Sequence, residues 1–567
     1  MSYILGLNCS GFHSSACLLR DGQVAYAVAE ERISRIKQDS SFPLAAVRYC
    51  CEAEGIELED VSHVFVGWNP RFYLSKSDRT LAEAFRSRGK LAYLALNELG
   101  TLAKEEILDL GESLGFDGRR LEIRFVDHHK AHLANGFLQS GFDRADFLVL
   151  DGFGELSTGF CGTATREGIE TFESIRTPHS LGSFYSAFAD HLGFRPNRDE
   201  WKVMALAALG DPEPRYEAVR SLIRVRGLGL ELDLSFFEHF LFFTQRHFTP
   251  KFVERFGPPV GAGEELEQRH FDLVAAVQRV AEETVFELLG KLHERTGGEE
   301  LVVGGGFFMN SVCNGKLTDA SPYKTLFVGG SPDDSGVSVG SALYGAHYEL
   351  QCEVACEPAA HNYFGRTYAE SDIRRELERR KLAIRELDDP AGTAAELIGG
   401  QGKIVAWFQG ASEFGQRALG NRSILADPTA ADVKDRVNSS VKYREWFRPF
   451  APSVLRERQA ELFPEAGRSD SYFMEKVFRF DDAWGQRVPA VTHFDGSGRL
   501  HTVDREINPL FHRLIEALDR RLGAPVVLNT SFNTNGVPLV ESPGDAIACF
   551  YDSGLDALIL DRFLVEK

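Results

Sequence analysis

YILGLNCSGFHSSACLLRDGQVAYAVAEE, residues 3–31, runs through the apolar stretches YILGLN and SACLLR, turns at Asp21-Gly22 and resumes through QVAYAVAEE. Asp-Gly between apolar alternations is a strong hairpin signal, because the tight turn needs residues that accept positive φ. The order strand, hairpin, turn returns as DFLVLDGFGE (146–155), GFCGTATREG (159–168) and IETFESI (169–175). Two such copies, each followed by helical sequence, predict a duplicated α/β domain with a cleft between its halves.

That plan is the one used by the class of actin, sugar kinases and heat-shock ATPases. Residues 211–300 read as mainly helical. LVVGGGFFMNSVCNGKL (301–317) then reads as strand, glycine turn and helix, and SPDDSGVSVGSALYGA (331–346) as a loop opening onto a small-residue helix. Periodicity fades around Pro358, which places one domain at 1–355, a linker at 356–369 and a second α/β domain at 370–567. The second holds a helix ESDIRRELERR (370–380), strands in GKIVAWFQG (402–410) and APVVLN (524–529), and a loop rich in arginine and glycine between them.

With 43% apolar and 26% charged residues among 567, the composition is that of a globular protein. No apolar run approaches the ~18 residues of a membrane span, and the first residues lack the pattern of a signal peptide. Nine scattered cysteines without a CxxC pair exclude a disulfide framework and a cysteine zinc site, so a reduced cytoplasm is the expected compartment. A formal charge of −20 repels phosphate backbones, which argues against nucleic acid and leaves room only for local basic pockets.

VDHHKAH (126–132) puts His128 and His132 four apart, on one helical face at ligand spacing. HxxxH alone does not separate ligands from ordinary histidines. Asp151 at a strand end and Asp334 at a helix start add two carboxylates, and a His₂Asp₂ set suits Fe(II), Mn(II) or Zn(II) with open positions. His129 lies on another face and reads as support. In GGGFFMN (304–310) the glycines let a ligand approach a helix N-terminus, although no Walker lysine follows. Asn310 and Asn314, four apart, are placed to hydrogen-bond a ribose or base.

EFGQRALGNRSILADPTAADVKDRVNSSVKYREWFRPFAPSVL (413–455) carries Arg417, Arg422, Lys442, Arg444 and Arg448 within an acidic chain. Convergent guanidinium forks would make an anion pocket. The alternative is a solvated basic face paired with Glu413, Asp432, Asp435 and Glu445. The interleaved Gly, Pro and aromatic residues fit an ordered loop better.

GFHSSACLLRDG, AEERISRIK, VDHHKAH, VLDGFGE, SLGSFY, EWKVMALA, GGGFFMNSVCN, EFGQRALGNRS, REWFRPFAPS and NTSFN occur in this order along nearly the whole chain. Together they resemble the O-carbamoyltransferase family of antibiotic biosynthesis and nodulation-factor decoration. The resemblance implies an actin-like (ASKHA) N-terminal domain followed by a YrdC/Sua-like α/β domain. The KxR and SxN signatures of the latter match Lys442-Tyr443-Arg444 and Ser531-Phe532-Asn533.

It also implies a two-step reaction. Carbamoyl phosphate and ATP, with Mg, would give carbamoyl-adenylate, phosphate and pyrophosphate. A hydroxyl of a small molecule would then take the carbamoyl group and release AMP. Lys442, Arg444, Arg448, Ser531 and Asn533 would hold the nucleotide phosphates, with Arg417 and Arg422 near carbamoyl phosphate and Lys37 reaching across from the first domain. Gly182, Glu200, Asn310 and Asn314 would hold the adenylate. A divalent metal on His128, His132, Asp151 and Asp334, Fe(II) first and Mn(II) or Zn(II) next, would polarise the carbonyl. His13 is the candidate base. Two positions depart from the family: Ser14 follows this histidine where Asp is usual, and Gln416 replaces a proline. The acceptor stays open, as does oligomeric state.

Three other readings fit less of the chain. A tRNA threonylcarbamoyl-type enzyme conflicts with the charge. A hydrogenase-maturation carbamoyltransferase would need paired CxxC motifs. A non-catalytic nucleotide-binding regulator, like a sugar kinase, leaves the second-domain signatures without a task.

Overall fold

The computed structural model describes residues 1–9, 12–69, 122–241, 246–261, 263–355, 357–467 and 469–567. Ser10-Gly11 of the first quoted stretch and residue 356, where the expected linker begins, lie outside them. The chain forms two compact units, Met1–Ala25 with Ser40–Ala359, and Tyr26–Asp39 with Ala360–Lys567.

Two five-stranded sheets organise the first unit. One holds β1 (Tyr3–Asn8), β2 (Ser15–Arg20), β3 (Gln23–Ala29, whose residues from Tyr26 on are counted with the second unit), β4 (Val61–Val66) and β5 (Glu122–Phe125), in the order β3-β2-β1-β4-β5. The other holds β6 (Arg144–Leu150), β7 (Ser157–Thr165) and β8 (Ile169–Arg176), then β11 (Glu300–Gly304) and β12 (Thr325–Val328), in the order β12-β11-β6-β7-β8. Each sheet has a first strand antiparallel to its hairpin partner and parallel to a later strand, with another parallel strand beyond. Every residue of β1 and six of the seven in β6 are buried, as central strands covered on both faces must be. This is the duplication that the two sequence echoes predict.

One stretch differs. Within 211–300, expected to be mainly helical, β9 (Ile223–Arg226) and β10 (Gly229–Leu232) form an antiparallel hairpin. Their period-2 burial places Ile223, Leu230 and Leu232 inside, and this tertiary gain outweighs helix formation. The helix Gln268–Thr296 follows, ending on Gly297 at φ 62°.

The second unit is built on nine strands: β13 (Arg385–Glu386), β14 (Val405–Phe408), β15 (Arg422–Ala426), β16 (Ala451–Leu455), β17 (Lys476–Arg479), β18 (Ser497–Val503), β19 (Val526–Ser531), β20 (Ala557–Leu560) and β21 (Phe563–Glu566). Their order is β13-β21-β20-β14-β15-β19-β16-β18-β17. Alternation in β14 sends Val405 and Trp407 into a core with Phe511, Leu514 and Leu518, and Ala406 and Phe408 into another with Ile547 and Phe550.

Residues 26–39 correct the expected boundary at 1–355. Ala27 N donates to Phe364 O at 3.0 Å, Arg32 donates to Gly415 O, and Arg35 donates to Pro538 O and Leu539 O. These bonds tie the segment to the second unit, so Lys37 is part of that unit and does not approach it from the first. No helix among the described residues is long and apolar enough to cross a membrane.

Candidate functional site

His128–Phe137 is a helix whose first backbone N–H groups have no local side-chain cap. The Glu155 carboxylate does that work from VLDGFGE, accepting from His128 N at 3.0 Å and from Asn69 N at 2.7 Å. With the helix start fixed, His128 and His132 project side by side. Their Nε2 atoms are 3.1 Å apart and lie 3.2 and 3.1 Å from Asp151 Oδ2, with Asp334 Oδ1 at 3.6 and 3.5 Å. The four donor atoms all fall within 4.8 Å of one another.

Three features fit this set to a divalent cation. His128 Nδ1 sits 3.1 Å from Gly67 O, which can only accept, so the ring's Nε2 keeps its lone pair for the centre. Asp151 Oδ1 accepts from Gly152 N at 2.7 Å and Gly306 N at 3.2 Å, which turns Oδ2 toward the imidazoles. Two carboxylates meet in a buried place. Burial and Asp151 push Asp334 up, and the histidines pull it down to about 2. Burial likewise opposes charge on His128, yet Asp334 and Asp151 favour a positive charge there and hold it well above its usual value, so a bound cation takes the place of a proton on Nε2. A cation at the centre relieves the repulsion between the carboxylates.

His129 is not part of the set. Its Nδ1 lies 2.8 Å from Ser157 Oγ, and burial, with the neighbouring His128, pushes it down to about 3.

The glycine turn of GGGFFMN serves this centre. Gly305 has φ 91°, and a Cβ there would fall 2.3 Å from Leu150 O, so only glycine brings Gly306 N to Asp151. Gly182, near the start of the helix Leu181–His191, plays a similar part, since its Cβ would fall 2.9 Å from Asp151 O and Gly152 N. Ser180 fixes the contact by donating to Asp151 O at 2.7 Å. Glu200 accepts from the Ser186 hydroxyl and Asn197 N, both at 2.5 Å, and burial raises its pKa. Asn310 caps the helix Ser311–Ala320 through Cys313 N at 3.1 Å and donates to Gln278 at 2.9 Å. Asn314 is fully buried and donates to Phe308 O at 2.7 Å.

His13 has φ 44°, an uncommon backbone state for a side chain of its size, and its Nδ1 lies 2.9 Å from Asp333 Oδ2. Asp333 is immediately before Asp334, so this pair and the four-donor cluster share one turn of chain. Asp333 is not among the residues that the sequence motifs single out. Its signal was the doubled aspartate in SPDDSG.

The second unit gathers cations. Lys442 Nζ donates to Asn533 Oδ1 at 2.7 Å, to Asn533 O at 2.8 Å, to Ser531 Oγ at 3.3 Å and to Ser531 O. Lys442 thus meets the Ser531–Asn533 turn, while Arg444 donates to Asn438 Oδ1 at 2.8 Å and to Pro449 O at 3.4 Å. Burial depresses the Lys442 ammonium well below its usual range, and Arg444, Arg448 and Lys37 add to it. Arg444 is lowered to about 9 by burial and Arg448, with its plane 4.4 Å over Phe450. Arg499 on β18, absent from the sequence-based set, is depressed by burial and then by Arg417, Arg444 and Arg448. Arg444 and Arg448 act on both Lys442 and Arg499, and Arg417 acts on Arg499. Lys37 is held by Glu31 at 2.8 Å.

Arg422 has a different neighbourhood. It is fully buried on β15, donates to Gln409 O at 2.7 Å, Gly410 O and Asn421 O, and stacks 3.6 Å over Phe408.

The family model described as Carbamoyltransferase N-terminus matches residues 3–343, and that described as Carbamoyltransferase C-terminus matches 395–567. Nodulation protein NolNO of Sinorhizobium fredii is 35% identical over 98% of this chain and 78% of its own. An uncharacterized protein of Synechocystis is 33% identical over 100% and 97%. The 3'-hydroxymethylcephem-O-carbamoyltransferase of Streptomyces clavuligerus is 28% identical over 76% and 78%. Among solved structures, T. kodakarensis HypF aligns at 14% identity and TM-score 0.32, over 62% of this chain and 48% of that one.

Proposed function

The chain belongs to the carbamoyltransferase family and is a carbamoyltransferase, and from that premise we propose that it carbamoylates a hydroxyl of a small molecule in two steps, the first of which consumes ATP. The first unit is read as actin-like and the second as YrdC/Sua-like.

Step one belongs to the second unit. Water releases phosphate from carbamoyl phosphate, and an oxygen of the resulting carbamate attacks the α-phosphorus of Mg-bound ATP. Pyrophosphate leaves and carbamoyl-adenylate remains. Lys442, seated on Ser531 and Asn533, meets the triphosphate as a desolvated point charge, and Arg444 and Arg448 offer guanidinium forks to its oxygens. Arg417 and Arg422 are assigned to carbamoyl phosphate. For Arg417 this is supported by its action on Arg499, whereas the Arg422 contacts are those of a core side chain.

Step two belongs to the first unit, where Gly182, Glu200, Asn310 and Asn314 are assigned to the adenylate. His128, His132, Asp151 and Asp334 would hold a divalent ion, Fe(II) first and Mn(II) or Zn(II) next, which when bound supplies Lewis-acid polarisation of the carbamoyl carbonyl. Asp333 accepts from His13 Nδ1, which directs Nε2 to the hydroxyl proton of the acceptor. The new carbon–oxygen bond forms, the bond to the adenylate phosphate breaks, and AMP leaves. A sugar or natural-product alcohol is the acceptor class; the net charge of −20 disfavours nucleic acid.

The observation that carries this reading is the buried Lys442 ammonium donating to Ser531 and Asn533, with Arg444 and Arg448 adding to the depression that burial imposes on it. Incubation with ATP, carbamoyl phosphate and a panel of alcohols tests it. Both AMP and a carbamoylated alcohol should form, each requiring both donors. AMP-free carbamoylation from carbamoyl phosphate alone would overturn the adenylate step.

A further inference from the structure

Two aromatic side chains of the second unit stand open to solvent: Trp446 is 58% exposed and Phe494 49%. Their rings meet edge to face with centroids 5.5 Å apart. Trp446 lies between Arg444 and Arg448 in REWFR and contacts the buried Phe447, with centroids 6.0 Å apart. The Lys434 ammonium sits 4.3 Å from the Phe494 ring.

Along the chain, Trp446 is flanked by Arg444 and Arg448 of the cation cluster. Burial lowers Lys434, Asp435 opposes the shift, and Arg444 adds to it. His493, beside Phe494, is held at about 4 by burial, against Asp495, with Arg499 and Lys434 contributing. Arg499 in turn is acted on by Arg417, Arg444 and Arg448. The chain order Arg444–Trp446–Arg448, the Trp446–Phe494 ring contact and Lys434 over Phe494 bring exposed rings and cations together, in keeping with these charge effects.

Exposed aromatic surface next to a polyanion site matches a ligand with a flat π face and a phosphate tail. We propose that Trp446 and Phe494 form the base subsite of the second unit, stacking the purine of the nucleoside triphosphate whose phosphates meet Lys442 and its arginines. This rests on the reading of the second unit as the ATP-consuming site. Stacking supplies affinity for the base, and the cations hold the tail.

Calorimetry on the full chain with Mg-ATP and with Mg-tripolyphosphate separates the two contributions. Trp446→Ala and Phe494→Ala should each weaken ATP binding about 5- to 30-fold and leave tripolyphosphate within about twofold. Trp446→Phe should recover most of the loss, since it keeps a π face. Lys442→Ala should weaken both ligands. If Lys442→Ala binds both as tightly as the unaltered chain, the reading of the second unit fails and the inference falls with it. If Lys442→Ala weakens both while the aromatic variants bind ATP normally, or lose tripolyphosphate equally, the reading stands and the inference is overturned. Sedimentation completes the test: an aromatic variant that dissociates an oligomer without changing ATP binding would make the patch a self-association face.

Discussion

His13 Nδ1 lies 2.9 Å from Asp333 Oδ2, while Asp333 Oδ1 accepts the Ser335 hydroxyl at 2.6 Å. A carboxylate held at both oxygens fixes the imidazole tautomer and steadies the imidazolium that forms when a proton arrives. Asp333→Asn keeps the shape and removes the charge. Turnover in the transfer step should fall about 10²- to 10⁴-fold, with the acceptor KM and the metal content little changed. Wild-type turnover in this variant would remove His13 from the role of base.

The four-donor cluster makes its own prediction. His132→Ala leaves two carboxylates and one imidazole, and should lower bound divalent metal at least about tenfold by elemental analysis. Added Fe(II) or Zn(II) should raise the melting temperature of the unaltered chain but not of this variant. Unchanged metal content would rule His132 out as a ligand.

What the sequence made legible was local. The repeat of strand and hairpin announced two sheets of one topology, and i,i+4 spacing put His128 and His132 on one helical face. Asp151 was readable because it ends an apolar strand before glycine. Long-range partners were not readable. Asp333 reaches a histidine 320 positions away, and no spacing rule encodes that. Arg499 lies on a strand whose pattern reports burial, not the arginines beside it. Arg422 shows the converse: a motif arginine whose guanidinium is engaged by backbone carbonyls in the core. Tyr26–Asp39 joins the second unit through bonds to residues 364, 415, 538 and 539, far along the chain.

Lys442 should separate the two proposed steps. Lys442→Ala leaves Ser531 and Asn533 without their cation and removes a charge from the proposed triphosphate site. AMP formation from ATP and carbamoyl phosphate should drop by at least about 10²-fold, as for loss of one transition-state charge contact. Carbamoyl transfer from supplied carbamoyl-adenylate should stay near the unaltered rate. Loss of both activities together would assign Lys442 to the folding of the unit instead, and a melting curve would show it.

His501 makes the stability of the second unit depend on pH. It is buried on β18 with Nδ1 2.7 Å from the Ser453 hydroxyl, and burial pushes it down to about 3. In the unfolded chain it returns to about 6.5, so between these values the unfolded state binds the extra proton. The stabilisation is therefore complete above about pH 6.5 and is lost as pH falls toward about 3. From about pH 7 to about pH 5 the loss from this one group is at most about 2 kcal/mol. His501→Asn can keep a hydrogen bond to Ser453 without titrating, so its stability should fall less steeply over that interval. Denaturant melts at several pH values measure the difference. Parallel slopes for the two proteins would show that another group carries the acid sensitivity, and His493, held at about 4 by burial, would be examined next through His493→Asn.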